Sequence, residues 1–431
     1  MSPATASRPH QSTARTVTAA IFGNVLEWFD YAVFGFLVAP IGRAFFPSES
    51  AVGQTLSAWL VFAIGFFARP LGGIVLGRLG DRKGRRWLLT ISVSLIAAST
   101  LAIGCLPTFE QAGWLATAGL VACRIMQGFS LGGEFTGSMA YATEHAKPNM
   151  RGIVGGTTAV GATLGFLVGS GVVAIIDRTL SPSEIDSWGW RLPFLASSLA
   201  AVFGWWLRRS VQESEAGLAS CAIAVRPPAL VSIARDWRPS LQLLAIVAFA
   251  NALYYYGFDA AVVSAKAATP ERASDIQSAT TLSLLVVGVS TVVGGWMSDR
   301  IGRRTSAILF TVWGMAVLVP AWFVMSQAPA DPAAFLCAQL LVGMPVGLAL
   351  GMQGTMLVEM FPLQSRVVSM SFAYSLAMAF AGGLMPALDS WLIEDMRMPR
   401  ATPAWIIALG AIAVITLVSM RDPTGRELTG E

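Results

Sequence analysis

Glu27 and Asp30 stand one helical turn apart inside the apolar stretch GNVLEWFDYAVFG, residues 23–35. The surrounding run, from about Thr16 to Gly42, is long enough to cross a bilayer, which takes about 20 residues. A charge at the centre of a spanning helix costs about 2.5–3.5 kcal/mol on insertion scales. Two such charges point to a function, the bland alternatives being snorkelling to an interface or a static ion pair. Arg69 and Arg124 also lie inside apolar runs. At about 1.5 Å per residue, Asp30 and Arg124 lie about 15 and 16 Å from the outer face, and Glu27 and Arg69 about 20 and 22 Å. Charges at matching depth normally face the protein interior and pair. Burial favours the protonated carboxyl and a neighbouring guanidinium the ionised one, so a group balanced between them can exchange a proton as its surroundings open. The chemistry expected is proton coupling at Asp30, with Glu27 as second candidate. Arg124 would set the proton affinity of Asp30 and compete for a substrate carboxylate.

Further polar groups share these depths. Gln127, Leu131 and Glu134 follow Arg124 at spacings that share one helix face. Glu134 is either a second proton carrier or a cytoplasmic latch. Asn24 and Tyr31 flank Glu27 on its own side of the helix. Asn251, Tyr254 and Tyr255 lie in a later apolar run, and aromatic rings can hold a quaternary ammonium. The same rings serve equally well as core. The candidate substrate contacts are therefore Asn24, Tyr31, Arg69, Arg124, Gln127, Asn251, Tyr254 and Tyr255. Asp259, near the outer end of its run, is expected to be solvated.

The elements that must position these groups are membrane helices. The chain is 55% hydrophobic and 13% charged, against about 25% charged in soluble domains. Its 42 glycines suit closely packed helices. Twelve apolar segments are expected, at about 16–40, 54–79, 87–106, 113–139, 152–176, 191–207, 239–264, 276–297, 305–326, 332–358, 367–393 and 401–419. The first is too long and too acidic for a signal-peptide core and reads as an uncleaved span. Of the 29 Lys and Arg, twenty fall on the side of the termini, seven on the other, and Arg69 and Arg124 inside spans. Positive charge marks the cytoplasmic side, so both termini are expected there. Trp59, Trp87, Trp114, Trp188, Trp190 and Trp391 fall near span ends, where interfacial aromatics belong.

The expected organisation is a cytoplasmic tail at 1–15, a six-helix bundle at 16–207, a cytoplasmic linker at 208–238, a second bundle at 239–419 and a short tail at 420–431. Cys105, Cys123 and Cys337 lie in apolar runs and read as small buried thiols. The net charge of +4, spread over short loops, gives no reason to expect nucleic acid. The two histidines, His10 and His145, lie outside the spans, with no His/Cys/Asp cluster for zinc catalysis. A phosphate-binding loop of the G-x-x-x-x-G-K-S/T type is lacking, which removes ATP-driven pumping. Neither an enzyme nor a cofactor is expected. The partners expected are a small-molecule substrate, protons and lipid, with the chain a monomer.

The two halves repeat. GRLGDRKGRR at 77–86 recurs as GWMSDRIGRR at 295–304, offset by 218, and EHAKPNMR at 144–151 corresponds to EMFPLQSR at 359–366, offset by 215. A duplicated unit with a midplane site between its copies is a secondary-transporter plan. Residues 77–86 resemble the Gly-x-x-x-Asp-Arg/Lys-x-Gly-Arg-Arg/Lys loop of the major facilitator superfamily. GNVLEWFDY at 23–31, ARPLGG at 68–73, RIMQGFSLGGEFTG at 124–137, WGWRLPF at 188–194, LRRSVQES at 207–214 and EMFP at 359–362 resemble its bacterial metabolite–proton symporters. GGEFTG, and Asn251 with Tyr254-Tyr255, are similar to the proline/betaine carriers.

The resemblance implies an all-α membrane protein of twelve helices in two pseudo-symmetric bundles, in the bacterial inner membrane. It implies that the first and fourth spans face a central cavity. It also implies a cytoplasmic gate made by Asp81, Arg82, Arg85, Arg86, Glu144, Arg151, Asp299, Arg300, Arg303, Arg304, Glu359 and Arg366; the alternative is that these charges only fix topology. Gly161, Gly165 and Gly169 in the fifth span form a close-packing face. Gly165 is followed by Phe166 where antiporters of the superfamily usually carry Pro, which implies symport. The tail after the last span bears no heptads, so osmotic regulation by a coiled coil is not expected. The activity implied is proton-coupled uptake of a small carboxylate-bearing metabolite. A zwitterion such as proline or betaine is preferred over an organic acid such as citrate, 2-oxoglutarate or shikimate. The alternative from another class is a transporter-like membrane sensor.

Overall fold

In lipid every backbone polar group must be satisfied within the protein, so the apolar segments form helices. The computed structural model describes residues 13–48, 50–83, 85–132, 134–144, 146–198, 228–327, 331–362 and 365–425; the side chains of 13–23, 77–78, 80–90, 134, 141, 327 and 394 lie outside that description. Span one is Thr13–Phe36 and turns by 70° at Leu37 into Val38–Phe45. Spans two to five are Ala51–Lys83, Arg85–Cys105, Trp114–Leu131 continued by Glu134–Glu144, and Arg151–Thr179. Helix 192–198 begins span six. Span seven runs from Trp237–Tyr255 through a π-helical turn, Tyr256–Ala260, into Ala261–Ala268. Spans eight to ten are Ala273–Ile301, Arg303–Gln327 and Pro332–Met360. Span eleven starts as Arg366–Ala377 and has a π-helical turn at Met378–Gly383; span twelve is Ala401–Ser419. Among the described residues, nine helices are long and apolar enough to cross a membrane, or ten if the bent first pair is one span.

Small residues set the helix spacing. A methyl group on Gly128 would lie 1.7 Å from the Gly65 carbonyl oxygen, and one on Gly72 1.8 Å from that of Phe129. Spans two and four therefore touch backbone to backbone, which needs residues without side chains. Gly165 and Gly169 of span five meet Trp28 and Ala32 of span one. The two halves meet where Gly152 of span five faces Gly295 of span eight, and where Gly73 and Phe66 of span two face Ser371 and Gly383 of span eleven.

Several expectations change. Span one does not run straight to residue 40. In span four the helix carrying Arg124 and Gln127 ends at Leu131. Trp59 and Trp190 are buried, edge-on to Phe62 and Phe45, and are not interfacial; Trp114, Trp188 and Trp391 are exposed. Cys105 and Cys337 are exposed on the outside of the helices, and only Cys123 of the three is buried. Of the expected linker, 208–227 lies outside the described residues and Ala229–Arg235 is helical. His145, Trp87 and the chain ends at 1–12 and 426–431 also lie outside the description of residues or side chains.

Candidate functional site

Span one places Glu27, Asp30 and Tyr31 on the interior of the protein, all with at most 2% exposure. Arg69 of span two donates from Nη2 to Oε1 of Glu27 at 2.9 Å. Its guanidinium lies over the rings of Trp28, Tyr31 and Phe66 at 4.7–4.9 Å. Pairing and ring stacking offset the cost of burying this charge.

The expected Asp30–Arg124 ion pair is not formed. Asp30 instead accepts hydrogen bonds from two hydroxyls, Thr100 of span three and Ser197 of span six. Arg124 Nη1 donates to Gln127 Oε1 at 2.9 Å, and Gln127 Nε2 donates to Thr100 Oγ1 at 2.9 Å. The connection is therefore a relay, Arg124 to Gln127 to Thr100 to Asp30. Depth along a helix carries no information on which way around that helix a side chain points. Thr100 and Ser197 were missed because hydroxyls are common in membrane helices and nothing in their local sequence distinguishes them.

Arg124 is fully buried, and among the described residues its Nε and Nη2 have no hydrogen-bond partner. Its guanidinium lies over Tyr31 at 4.5 Å and Phe34 at 4.3 Å. A buried guanidinium with unused donors fits a carboxylate, which it can grip in bidentate fashion. Asn24 is buried, and both its amide atoms lack partners among the described residues. Asn251 is buried but donates to the Val247 carbonyl of its own helix at 2.8 Å, so that donor is engaged locally. Tyr254 packs edge-on to Phe166 at 5.1 Å, and Tyr255 sits against Phe62 and Phe66 of the other half. Asp259 is buried, contrary to the expectation of a solvated group. The side chain of Glu134 lies outside the described residues.

Charged residues close the Arg-rich end. Arg303 donates to Asp299 at 2.8 Å and to Glu359 at 3.0 Å. Asp299 also accepts from the backbone N–H groups of Gly152 and Ile153 in the other half, capping the N-terminus of span five, where a helix favours negative charge. Arg151 lies 3.6 Å from Glu359, and Arg366 donates to Glu144 at 2.6 Å. The two repeated loops thus exchange partners across the halves. Arg300 and Arg304 do not join this network: Arg300 lies over Trp296, and Arg304 donates to the Val418 carbonyl at the end of span twelve. The side chains of Asp81, Arg82, Arg85 and Arg86 lie outside the described residues. At the opposite end Lys266 pairs with Asp177 at 2.6 Å, and Gln277 donates to Ser170 at 2.8 Å. Both ends are bridged, and the interior charges between them are enclosed.

Residues 16–221 match the family described as Sugar (and other) transporter, and residues 244–430 match the Major Facilitator Superfamily. The chain is 32% identical to the citrate-proton symporter of Klebsiella pneumoniae over 90% of this chain and 87% of that one. It is 30% identical to the ectoine/proline transporter ProP of Corynebacterium glutamicum, covering 98% and 86%. It is 29% identical to the proline/betaine transporter of Salmonella typhimurium, covering 96% and 85%. Among solved structures, the partially occluded inward open xylose transporter XylE from E. coli aligns with a TM-score of 0.74 at 19% identity, over 96% of this chain and 99% of that one. At that identity the structural likeness speaks for the fold alone.

Proposed function

The chain belongs to the major facilitator superfamily, and from that membership we propose that it is a proton-coupled symporter taking up a small carboxylate-bearing metabolite by alternating access. The observation that carries this reading is the relay from Arg124 through Gln127 and Thr100 to Asp30. Asp30 is the proton site. Its partners are hydroxyls, which donate to a carboxylate and accept from a carboxylic acid. Protonating Asp30 reverses the Thr100 hydroxyl bond, which alters the acceptor that Gln127 Nε2 uses and, through Gln127, the hold on Arg124. Proton binding at one end of the relay is thereby coupled to substrate-carboxylate binding at the other. Glu27 is the weaker candidate, because its carboxylate is already engaged by the buried Arg69 guanidinium.

The substrate reading is a zwitterion such as proline or betaine. Of the two interior arginines at this depth, Arg69 is engaged by Glu27 and Arg124 has donors to spare. One open guanidinium suits one carboxylate better than three. The citrate-proton symporter among the relatives keeps an organic acid as the second reading. The cross-half charges Glu144, Arg151, Asp299, Arg303, Glu359 and Arg366 serve as the cytoplasmic gate, with both termini on that side of a bacterial inner membrane. The units at 16–207 and 239–419 are the moving bundles.

The test is uptake in proteoliposomes under an imposed proton gradient. Wild-type protein is expected to accumulate proline or betaine. Asp30→Asn is expected to lose gradient-driven accumulation while retaining exchange of labelled for unlabelled substrate. Accumulation by Asp30→Asn would sink the assignment, and binding without any accumulation by the wild type would point to a sensor.

A further inference from the structure

Asp259 has no part in the scheme above. It sits in the π-helical turn Tyr256–Ala260 of span seven and is 0% exposed. Among the described residues, neither of its carboxylate oxygens has a hydrogen-bond partner. Buried polar groups are overwhelmingly hydrogen-bonded, and a buried carboxylate without donors is among the costliest exceptions. The fold nevertheless makes room for it. Oδ1 faces Gly35 of span one, and a methyl group there would lie 2.5 Å away. The π turn that carries Asp259 is itself supported from span ten, where Gln339 donates to the Gly257 carbonyl at 3.0 Å. Insertions of this kind in membrane and soluble helices recur at functional positions.

Its place in the site is specific. Gly35 is one helical turn, about 6 Å, further out along span one than Tyr31, whose ring lies over Arg124. Asp259 therefore lies at the boundary of the two halves, one turn outward of the open guanidinium. Tyr254 and Tyr255, four and five residues earlier, bring their rings to the same boundary, and their hydroxyls have no partner among the described residues. The interior thus holds the open Arg124 guanidinium and, one turn away, the unpartnered Asp259 carboxyl, which a bound cation would hold ionised, with aromatic rings close by.

We infer that Asp259 forms an anionic subsite, with Tyr254 and Tyr255, that recognises a positively charged nitrogen on the transported molecule. The inference rests on the symport reading for the carboxylate end of that molecule and is independent of the proton step at Asp30. A carboxylate and π faces together attract an ammonium, quaternary or not. The subsite would make the protein selective for zwitterions over anions of the same shape.

Binding of isosteric pairs to purified protein tests this. Glycine betaine is compared with 3,3-dimethylbutanoate, and proline with cyclopentanecarboxylate; within each pair only the charged nitrogen is replaced by carbon. Wild-type protein is expected to bind the zwitterion of at least one pair about tenfold or more tighter, and Asp259→Asn to bring that preference to within about twofold. Asp259→Ser serves as a second variant should the first fail to fold. Equal binding within both pairs by the wild type, or an undiminished preference in either variant, overturns the inference. So does binding of citrate with no binding of either zwitterion; proton-driven citrate uptake would then leave the symport reading standing. Conversely, a preference that depends on Asp259 without proton-driven uptake sinks the symport reading alone.

Discussion

At the scale of single residues, Glu27 and Asp30 differ in what surrounds them. Glu27 faces a guanidinium, and Asp30 faces Thr100 and Ser197. A guanidinium can only donate, whereas a hydroxyl reverses its hydrogen bond without moving its oxygen. Asp30 can therefore exist with and without its proton in one geometry. Thr100→Val keeps the shape of that side chain and removes the reversible bond. The variant is expected to bind substrate within a few-fold of wild type while losing most gradient-driven accumulation. The measurement is the ratio of uptake with and without an imposed pH difference, and a wild-type ratio would show that the relay is not the coupling route. The residues that make this possible were only partly legible beforehand. Asp30, Arg124 and Gln127 were visible as polar groups in apolar runs, whereas Thr100 and Ser197 look like any hydroxyl until the helices are packed.

At the scale of elements, spans two and four are locked by contact between backbones. Glycine in an exposed helix interior normally costs about 0.5–1 kcal/mol relative to alanine. Here the sign reverses, because a Cβ on Gly128 would overlap the Gly65 carbonyl. Gly128→Ala must push apart the two helices that carry Arg69 and Arg124. It is expected to melt at a lower temperature than wild type by an amount equivalent to about 1–3 kcal/mol or more, as overpacked cores do. Thermal unfolding in detergent checks this, and an unchanged or raised melting temperature would contradict the close approach. The glycine spacing was legible in the sequence. The bend at Leu37 and the π turn at Asp259 were not, because each is a small local departure that hydropathy does not register.

At the scale of the whole molecule, the two halves are held at both ends. Arg151 with Glu359 and Arg366 with Glu144 bridge the Arg-rich end, and Lys266 with Asp177 bridges the other. Ser371, five residues along span eleven from Arg366, is hydrogen-bonded to Thr136 of the opposite half. If the charges form a gate, Glu359→Gln weakens closure there and raises the population open to the cytoplasm. A Ser371→Cys reporter is then expected to react several-fold faster with a polar thiol reagent in the Glu359→Gln background than in the wild-type background. Equal rates would mean that the charges fix topology and nothing more.

Hydropathy is a property of each segment by itself, and bilayer thickness sets the length of segment required. The sequence alone therefore determined a membrane protein, the spans and their approximate limits, the duplication, and the presence of acids and arginines inside the spans. It also placed Glu27 level with Arg69, where the ion pair is found. Tertiary structure alone decided the partners, because pairing depends on rotation about each helix axis and on which helices touch. That is why Asp30 meets hydroxyls and not Arg124, and why Glu144 and Glu359 each reach an arginine of the opposite half. It is also why Asp259 is enclosed: its exposure is set by span one of the other half, which no reading of span seven contains.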